Sequence, residues 1–470
     1  MPDVSSRPKT RIERDSLGTL EVPSDAYYGV QTARAVQNFP ISGERLHIEM
    51  VRAAARIKIA AARANMEVKA LDRKKGEAIV QAAEEVLAGR FDRDFVVDAY
   101  QAGAGTSFHM NVNEVIANRA CEILGGKRGD HALVSPNDDV NMAQSTNDVI
   151  PTAMRLAAYT LSGPVHEEMR ALARALGSRA EAFSGVLKSG RTHLQDAVPV
   201  TLGQEFSAYA ATVEGWSEWL GRSRDGLLSL GLGGNAAGTG INAHPEYRSR
   251  AVEHLAALTG APFRPAENLF DAMQSMAPFV RVSSVLRGFS LDLTRIANDL
   301  RLLASGPTTG FNEINLPTVQ PGSSIMPGKV NPVMLEMTNM VCYQVIGYDT
   351  TVAYAGQAGQ LELNVMMPVI AHNLTRALAI LAPTLRALRE KCIDGITANE
   401  EVCRRYFEHS TALATALNPY IGYLAAAEIA KESAKSGKTV VELVREKKLL
   451  TEEQIAKVFS AKGMTNPGGS

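Results

Sequence analysis

The sequence is poor in cysteine, in aromatic residues and in net charge. Its 470 residues include four cysteines, Cys121, Cys342, Cys392 and Cys403, without a C-x-x-C pair or regular spacing, so neither a disulfide framework nor a structural zinc site is expected. The formal net charge is -1, which argues against nucleic-acid binding as the main task. The apolar fraction of 45% is ordinary for a globular protein and excludes disorder as the main state.

Long apolar runs are also missing. The charged N-terminus MPDVSSRPKTRIERDS has no apolar run behind it, and no stretch of about 18 apolar residues occurs anywhere. The most apolar segment, residues 363–381, is interrupted by Pro368, His372, Asn373 and Arg376. The sequence therefore predicts no signal peptide, no membrane partner and a cytoplasmic protein, with its cysteines buried as small apolar groups in a reducing compartment.

Strand-like alternation is scarce, and helical periodicity dominates. From Val282 to Leu303 the apolar residues recur in steps of three and four, and the run stops at Ser305-Gly306-Pro307, a good helix stop. Other patterns predict long helices over residues 152–183, 202–230 and 331–357. Short stretches at 25–30 and 95–100 are weak strand candidates, and Pro- and Gly-rich loops are predicted at 135–139, 231–245, 306–317 and 321–332.

The predicted fold class is therefore mostly α, with a long central helical bundle. We expect three parts: a mixed, mainly helical N-terminal domain (1–145), a central long-helix domain (146–400) and a small helical C-terminal domain (401–470), where Thr451-Glu452-Glu453-Gln454 has the pattern of a helix start. A helix of ~30 residues is ~45 Å long. Several such helices favour an oligomer that bundles them, with a monomeric bundle as the alternative.

Two segments resemble nucleotide-binding motifs but lack a feature that each motif requires. Ser436-Gly437-Lys438-Thr439 ends like a phosphate-binding loop, but position 432 is a glutamate where that motif needs glycine. Gly231-Leu232-Gly233 lacks the βαβ frame of a dinucleotide site and is interpreted as an interhelical loop. No metal-ligand spacing is found, so no metal and no cofactor are predicted. His109 is interpreted as a structural histidine, and His244 and His254 as surface or packing residues.

Small polar residues cluster around glycine in segments that lie far apart in the chain. They are Gly103-Ala104-Gly105-Thr106-Ser107 with Gln144-Ser145-Thr146-Asn147-Asp148, then residues 190–196 (GRTHLQD), and then residues 322–332 (GSSIMPGKVNP). Together they offer hydroxyls, carboxamides, an imidazole and an ammonium. That set suits a small anionic substrate and carbanion chemistry beside a carboxylate, although each segment alone is more often a turn or a helix cap.

These segments strongly resemble the fumarase/aspartase superfamily, and residues 322–332 look like its signature loop, GSSxMPxKxNP. The likeness covers nearly the whole chain, from Arg11-Ile12-Glu13 to Leu417-Asn418-Pro419. The segment DAYYGVQT, the segment GAGTS, and Ser145-Thr146 favour the aspartase branch over class II fumarases, whereas His193 does not discriminate. The resemblance implies a three-part helical fold, a homotetramer whose active sites are shared between subunits, and no cofactor.

The resemblance also implies an activity, the reversible elimination of ammonia from L-aspartate to give fumarate through an aci-carboxylate. Ser323 matches the base that removes the C3 proton, and His193 and Asn147 resemble groups near the departing amine. Further roles are assigned by the same matching: Thr106, Ser145, Thr146 and Ser324 around the β-carboxylate; Lys329, Asn331 and Thr192 at the α-carboxylate; Glu336 as the carboxylate partner of His193; and Gly322 and Gly328 as the glycines that let the loop close over the substrate.

Four positions depart from the superfamily pattern. Asp139 stands in place of a usual histidine, Asn235 of a threonine, Thr308 of an arginine, and Met367 of a glutamate or lysine. None of them carries an assigned chemical role, but together they leave room for another C4 substrate. A class II fumarate hydratase, or a lyase for another C4 dicarboxylate derivative, is therefore the alternative function, and a non-catalytic oligomer with this fold is a third.

Overall fold

The structure, a computed structural model, describes residues 9–466 and is mostly α-helical, as the sequence predicts. In chain order its helices are α1 (Val30–Asn38), α2 (Ile48–Glu67), α3 (Arg73–Leu87), α4 (Thr106–Ile123), α5 (Thr146–Ala182), α6 (Leu202–Asp225), α7 (Tyr247–Thr259), α8 (Leu269–Gln274), α9 (Ala277–Leu303), α10 (Val333–Gln357), α11 (Met367–Lys391), α12 (Glu400–His409), α13 (Asn418–Ile421), α14 (Tyr423–Ser436), α15 (Val440–Glu446), α16 (Glu452–Val458) and α17 (Ala461–Thr465).

The strands are short and form two-stranded sheets. They are β1 (Thr10–Asp15), β2 (Gly18–Pro23), β3 (Leu187–Thr192), β4 (Gln195–Thr201), β5 (Ser229–Leu230), β6 (Arg264–Pro265), β7 (Ile314–Asn315) and β8 (Thr397–Ala398). β1 pairs with β2, β3 with β4 and β7 with β8 in antiparallel fashion, and β5 pairs with β6 in parallel. The β3–β4 pair is a hairpin whose register joins Thr192 to Gln195, which puts residues 193 and 194 in its tight turn.

The chain folds into two compact units, each built from separate segments. The first contains the chain up to His166, Trp219–Gly288 and Gln344–Leu381, and the second contains Glu167–Glu218, Phe289–Tyr343 and the chain from Ala382 onward. The three-part division at residues 145 and 400 stays a prediction. Residues 407–455 of the second unit have a hydrophobic cluster of their own, centred on Leu413, Leu417 and Val440.

The long helices that the periodicity predicts are present. α5 has 37 residues, α6 has 24, and α9 and α10 have 27 and 25. α9 ends at Leu303, immediately before the predicted stop. The residues that repeat every three or four positions, such as Val282, Leu286 and Leu293, are buried, so the pattern does mark the side of the helix that faces the core.

The two weak strand candidates are wrong. Residues 25–30 and 95–100 form no strand, and only a single bridge joins Arg45 to Asp98. Side chains take the place of a neighbouring strand as partners of this backbone: the Tyr27 amide donates to Asp94, and the Val96 amide donates to Asn111. Alternation of apolar residues is therefore misleading here, because it does not reveal which partner the amides find.

The DAYYGVQT segment has a structural role at the start of α1. The buried carboxylate of Glu114 accepts hydrogen bonds from the amides of Gly29, Gln31 and Thr32, at 2.9, 2.8 and 3.1 Å, and from the Thr32 hydroxyl at 2.6 Å. An anion at a helix N-terminus satisfies amides that have no partner inside the helix. A Cβ at position 29 would lie 2.6 Å from a carboxylate oxygen of Glu13 and 2.9 Å from that of Glu114, so any other residue would displace these buried carboxylates.

One of the C-terminal helices begins where the sequence predicts its start. Thr451 and Gln454 form a capping box at the start of α16, as predicted. The rejected phosphate-loop motif divides between two helix ends, since Gly437 ends α14 in a left-handed conformation and Thr439 caps α15.

The cysteines behave as predicted, because all four are buried and unpaired. Burial raises the pKa of each thiol, to about 11 for Cys121 and Cys342 and to about 12 for Cys392 and Cys403, so these groups are inert thiols at neutral pH. Between residues 9 and 466, none of the helices combines the length and the apolar character needed to cross a bilayer.

Candidate active site

The predicted site residues fall into two groups, one in each unit. The first unit holds Thr106, Ser145, Thr146 and Asn147, and the second holds all the others, on the β3–β4 hairpin, on the loop that precedes α10 and on the first turn of α10.

In the first unit, two helix N-termini bring hydroxyl groups together. Thr106 is the first residue of α4 and Thr146 is the first residue of α5, with Ser145 just before it. His109, one turn into α4, lies 2.8 Å from the Thr146 hydroxyl through its Nδ1, so the two helix starts are neighbours. Amides and hydroxyls at two adjacent helix N-termini form a natural site for a carboxylate.

A buried lysine lies behind this pair of helix starts. The Nζ of Lys58, on α2, is 2.8 Å from Nε2 of His109, 2.8 Å from Oε1 of Gln144 and 3.1 Å from Oδ1 of Asn141. Lys58 and His109 are completely enclosed by protein. Lys58, His109 and Thr146 therefore form a continuous chain of hydrogen bonds from the protein interior to the start of α5.

Asp148 fastens the segment that carries Thr146. Its buried carboxylate accepts the amides of Ser145, Gly233 and Asn235, at 2.9, 3.0 and 2.9 Å. The Asn147 side chain donates to the carbonyl of Ala236 at 2.8 Å. The loop after β5, predicted from its glycines as an interhelical loop, thus holds residues 145–148 in place.

Burial shifts the pKa of the charged groups in this cluster. It lowers the pKa of Lys58 to about 7, an effect that the nearby Asp148 carboxylate opposes, and it raises the pKa of Asp148 to about 6. Burial, reinforced by the Lys58 charge, holds the pKa of His109 well below its usual range, so this imidazole is neutral. Perturbed groups of this kind concentrate at functional sites.

In the second unit, Ser323 lies on a loop that is tied at its base. Its Oγ accepts hydrogen bonds from the amides of Ile325 and Met326, at 3.2 and 3.0 Å. Two amide donors stabilise negative charge on an oxygen. Ser324, Met326 and Lys329 are exposed on the same loop, so its polar groups are open to a ligand.

The glycines and Asn331 hold the shape of this loop. The Gly322 amide donates to the Lys329 carbonyl at 2.8 Å, and the Asn331 side chain donates to the Gly322 carbonyl at 2.6 Å. A Cβ at position 322 would lie 2.6 Å from backbone atoms of both Lys329 and Asn331, which excludes every residue except glycine. Gly328 has a positive φ of 79°. Hydrogen bonds thus join the two ends of the loop that carries Ser323. Movement of this loop as a lid stays a prediction.

The hairpin that carries Thr192 and His193 rests on buried ion pairs. Glu313, which is 0% exposed, lies 2.8 Å from Lys188 and 2.9 Å from Arg191, both on β3. Lys188 also pairs with Glu205 at 2.7 Å. Thr192 and His193 themselves are exposed at the turn. In the described residues of one chain, no hydrogen bond or ion pair joins His193 to Glu336. The Glu336 side chain is half-buried on the first turn of α10.

The four departures have distinct places. Asp139 pairs with Lys75 at 2.9 Å and accepts the Ser135 amide. Asn235 adopts a positive φ of 59° in the loop that binds Asp148. Met367 is fully buried at the start of α11, and Thr308 is exposed. Asn235 thus helps to hold the segment of Thr146, whereas Asp139 is occupied by an ion pair.

Among the sequence predictions, Lys58 is not singled out, Asp148 has no role of its own, and His109 is interpreted as a structural histidine. A lysine amid the apolar residues RIKIAAARA of α2 is a signal, because a charged residue on a buried helix face needs partners. The spacing of Thr106 and His109, i and i+3 on one helix, is another. Neither signal identifies the partner. Between residues 9 and 466, no three His, Cys, Asp or Glu side chains are grouped as a metal site requires.

The comparisons with known proteins agree with this fold. A family model described as lyase matches residues 18–347, and one described as the fumarase C C-terminus matches residues 413–466. The chain belongs to this lyase family, which confirms the superfamily that its motifs predict.

Individual relatives show which members of the family the chain resembles. Aspartate ammonia-lyases from Bacillus sp, Pseudomonas aeruginosa and Escherichia coli are 48%, 51% and 46% identical to the chain, over 97% of its length and 98%, 97% and 96% of theirs. A fumarate lyase/delta crystallin structure from Brucella melitensis superposes with a TM-score of 0.94 at 48% identity, covering 98% of this chain and all of that one. A class II fumarase from Schistosoma mansoni gives 0.92 at 36% identity, covering 97% and 98%. The predicted fold class is confirmed.

Proposed function

We infer that the chain is a carbon–nitrogen lyase that eliminates ammonia from L-aspartate to give fumarate, reversibly. The observation that carries this inference is the pair of adjacent helix N-termini, at Thr106 and Thr146, which offers hydroxyl and amide donors where a carboxylate would bind. The names of the relatives at 46–51% identity support the same activity.

The chemistry explains why such donors are needed. Removal of a C3 proton next to a carboxylate leaves a dianionic aci-carboxylate, and donors already in place stabilise it better than water does, because they need not reorganise. We propose that Thr106, Ser145, Thr146 and Ser324 surround this group. One donor of this kind is worth ~3 kcal/mol, and several together do not simply add.

Ser323 is proposed as the base, a role supported by the two amides that donate to its Oγ. The alkoxide takes the C3 proton, and the C2–N bond then breaks with its electron pair staying on nitrogen. The electron pair at C3 forms the C2=C3 double bond, so the products are fumarate and ammonia. The ammonia takes the proton from the Ser323 hydroxyl, which restores the alkoxide, and leaves as ammonium. Lys329, Asn331 and Thr192 are proposed to bind the α-carboxylate, with Asn147 and His193 near the amine and Glu336 orienting His193. Gly322 and Gly328 are proposed to let the loop close over the substrate and exclude water.

One assay tests the activity against its alternative. The purified chain is mixed with L-aspartate or with L-malate, and the absorbance of fumarate is followed. We expect fumarate from aspartate, with ammonia released in equal amount. The Schistosoma fumarase similarity makes hydration the second candidate, and fumarate from malate alone would establish that function instead.

We also propose that the chain forms a homotetramer whose active sites combine loops from neighbouring subunits. One exposed face of α10 carries Met340, Tyr343 and Tyr354, which are 69%, 57% and 68% exposed, with Gly347 between them. Their spacing of 3, 7 and 14 residues places them on one side of the helix. Exposed apolar side chains on one side of a long helix suit a protein interface, and we propose a second copy of the chain as the partner.

The tetramer has a direct test. Size-exclusion chromatography with light scattering should give four times the 50.5 kDa of one chain. Replacing Met340 and Tyr354 together by glutamate buries charges in the stripe and should yield smaller, inactive particles. Leu17→Glu, an equally drastic change at an exposed leucine of the β1–β2 turn, should keep mass and activity. An active isolated monomer would refute the shared site.

A cytoplasmic location and the three-part division into residues 1–145, 146–400 and 401–470 are further proposals. The first is supported by four buried free thiols, which suit a reducing compartment. The second is supported by the separate hydrophobic cluster of residues 407–455.

A further inference from the structure

We propose that Lys58 and His109 are positioning residues that make the Thr146 hydroxyl a hydrogen-bond donor to the substrate carboxylate. This inference rests on the proposed function, in which Thr146 binds that carboxylate. Nothing in the assignment of roles by family likeness includes either residue.

The acceptors around Lys58 have fixed orientations. The Gln144 amide nitrogen donates to the carbonyls of Val140 and Met142, at 3.2 and 3.1 Å, so its oxygen faces Lys58. The Asn141 amide nitrogen donates to the Gln144 carbonyl at 3.3 Å, so its oxygen also faces Lys58. An ammonium group has three protons. Two go to these oxygens, and the third goes to Nε2 of His109.

The proton on His109 is then determined. Because Nε2 accepts from Lys58, the neutral ring carries its proton on Nδ1 and donates it to the Thr146 oxygen, 2.8 Å away. Thr146 accepts a hydrogen bond from His109 and cannot donate to it, so its hydroxyl proton can be donated to a carboxylate. Each donation polarises the next group, so the Thr146 hydroxyl becomes a stronger donor than an isolated one.

The charge on Lys58 decides the direction of the chain. A neutral amine would accept from Nε2–H, Nδ1 would accept from Thr146, and the substrate would lose its donor. The titratable groups that face Lys58 are His109 and Asp148, and Asp148 in turn faces Tyr247. The Asp148 carboxylate favours the ammonium, and a bound dicarboxylate adds further negative charge on the Thr146 side.

A double-mutant cycle tests the proposal. His109→Gln, which removes the Nδ1 donor, and Lys58→Met, a similar shape without charge, should each lower kcat about tenfold or more, part of the ~10²–10³-fold that a donor to the developing charge supplies. In the Thr146→Val background the same changes should cost less than twofold, because the hydroxyl they act on is gone. His109→Asn, whose amide nitrogen can occupy the place of Nδ1, should retain more activity than His109→Gln.

Equal losses with and without the Thr146 hydroxyl would overturn the proposal and leave Lys58 and His109 as core residues only. If Lys58→Met does not fold, the contrast between His109→Asn and His109→Gln decides. The affinity for fumarate can be measured without turnover. In the wild type it should fall as pH rises above about 7, and in Lys58→Met it should not change with pH. A parallel decline in both proteins would count against the proposal. The kinetics use whichever of L-aspartate and L-malate the wild type converts, so failure of the proposed function shows separately.

Discussion

Ser323→Ala is expected to lower turnover by about 10²–10⁴-fold, the range that a positioned general base contributes, while substrate still binds. The methyl group cannot accept the C3 proton, but the loop keeps its shape. Gly322 remains bonded to Lys329, Asn331 remains bonded to Gly322, and the freed amides of Ile325 and Met326 lie on an exposed segment where water can reach them. Steady-state kinetics with L-aspartate gives the loss, and calorimetry with fumarate gives the affinity.

Ser460→Ala is the matched control. The Ser460 hydroxyl accepts the Gly463 amide at 3.0 Å at the start of α17, so the same atoms are removed from a similar turn with no proposed chemical role. It should keep full activity. Substantial residual kcat in Ser323→Ala would rule out the serine as base, whereas loss of fumarate binding would point to a collapsed loop.

Glu313→Ala should strongly destabilise the second unit. It removes the carboxylate that lies 2.8 Å from Lys188 and 2.9 Å from Arg191. In the part of the chain that the structure describes, Lys188, which is 1% exposed, then keeps Glu205 as its ion-pair partner. Removing one partner from a buried pair costs about 3–5 kcal/mol, because an uncompensated charge stays in the interior. We expect a large drop in Tm and faster amide hydrogen exchange in β3, β4 and β7.

Two variants separate this effect from simple loss of charge. Glu408→Ala breaks a pair with Arg404, 4.0 Å apart and exposed, and should change stability by less than about 1 kcal/mol. Adding Lys188→Met to Glu313→Ala should recover part of the loss, because the stranded ammonium disappears. A Tm of Glu313→Ala equal to that of the wild type would show that Glu313 does not hold this hairpin.

Much of the fold could be read from local patterns. The apolar steps from Val282 to Leu303 and the stop after them locate α9, and the polar Thr451–Gln454 segment locates the start of α16, because helix faces and caps depend on neighbours three or four residues away. Residues 25–30 and 95–100 could not be read this way. Their amides are satisfied by side chains such as Asp94 and Asn111, whose positions depend on how α4 and its surroundings fold.

The candidate site divides in the same manner. The hydroxyls of Thr106, Thr146 and Ser323 are visible in the sequence as glycine-flanked polar segments, and the family likeness gives each a role. The hydrogen bonds to these hydroxyls are not visible in the sequence. The donors to Ser323 come from its own loop. The hydrogen-bond chain that leads to Thr146 begins at Lys58, which is separated from His109 by 51 residues and from Gln144 by 86.

By itself the sequence determined the helical class, the long helices, the family and the candidate site residues that we propose as reactive, because periodicity, caps and motifs are local properties of the chain. Only the tertiary structure decided that Lys58 is buried, that His109 bridges it to Thr146, and that Glu313 holds two cations beneath the β3–β4 hairpin. The physical reason is that the position of a proton and the free-energy cost of burying a charge depend on the groups within about 3 Å and on the exclusion of water around them. Folding alone brings these groups together.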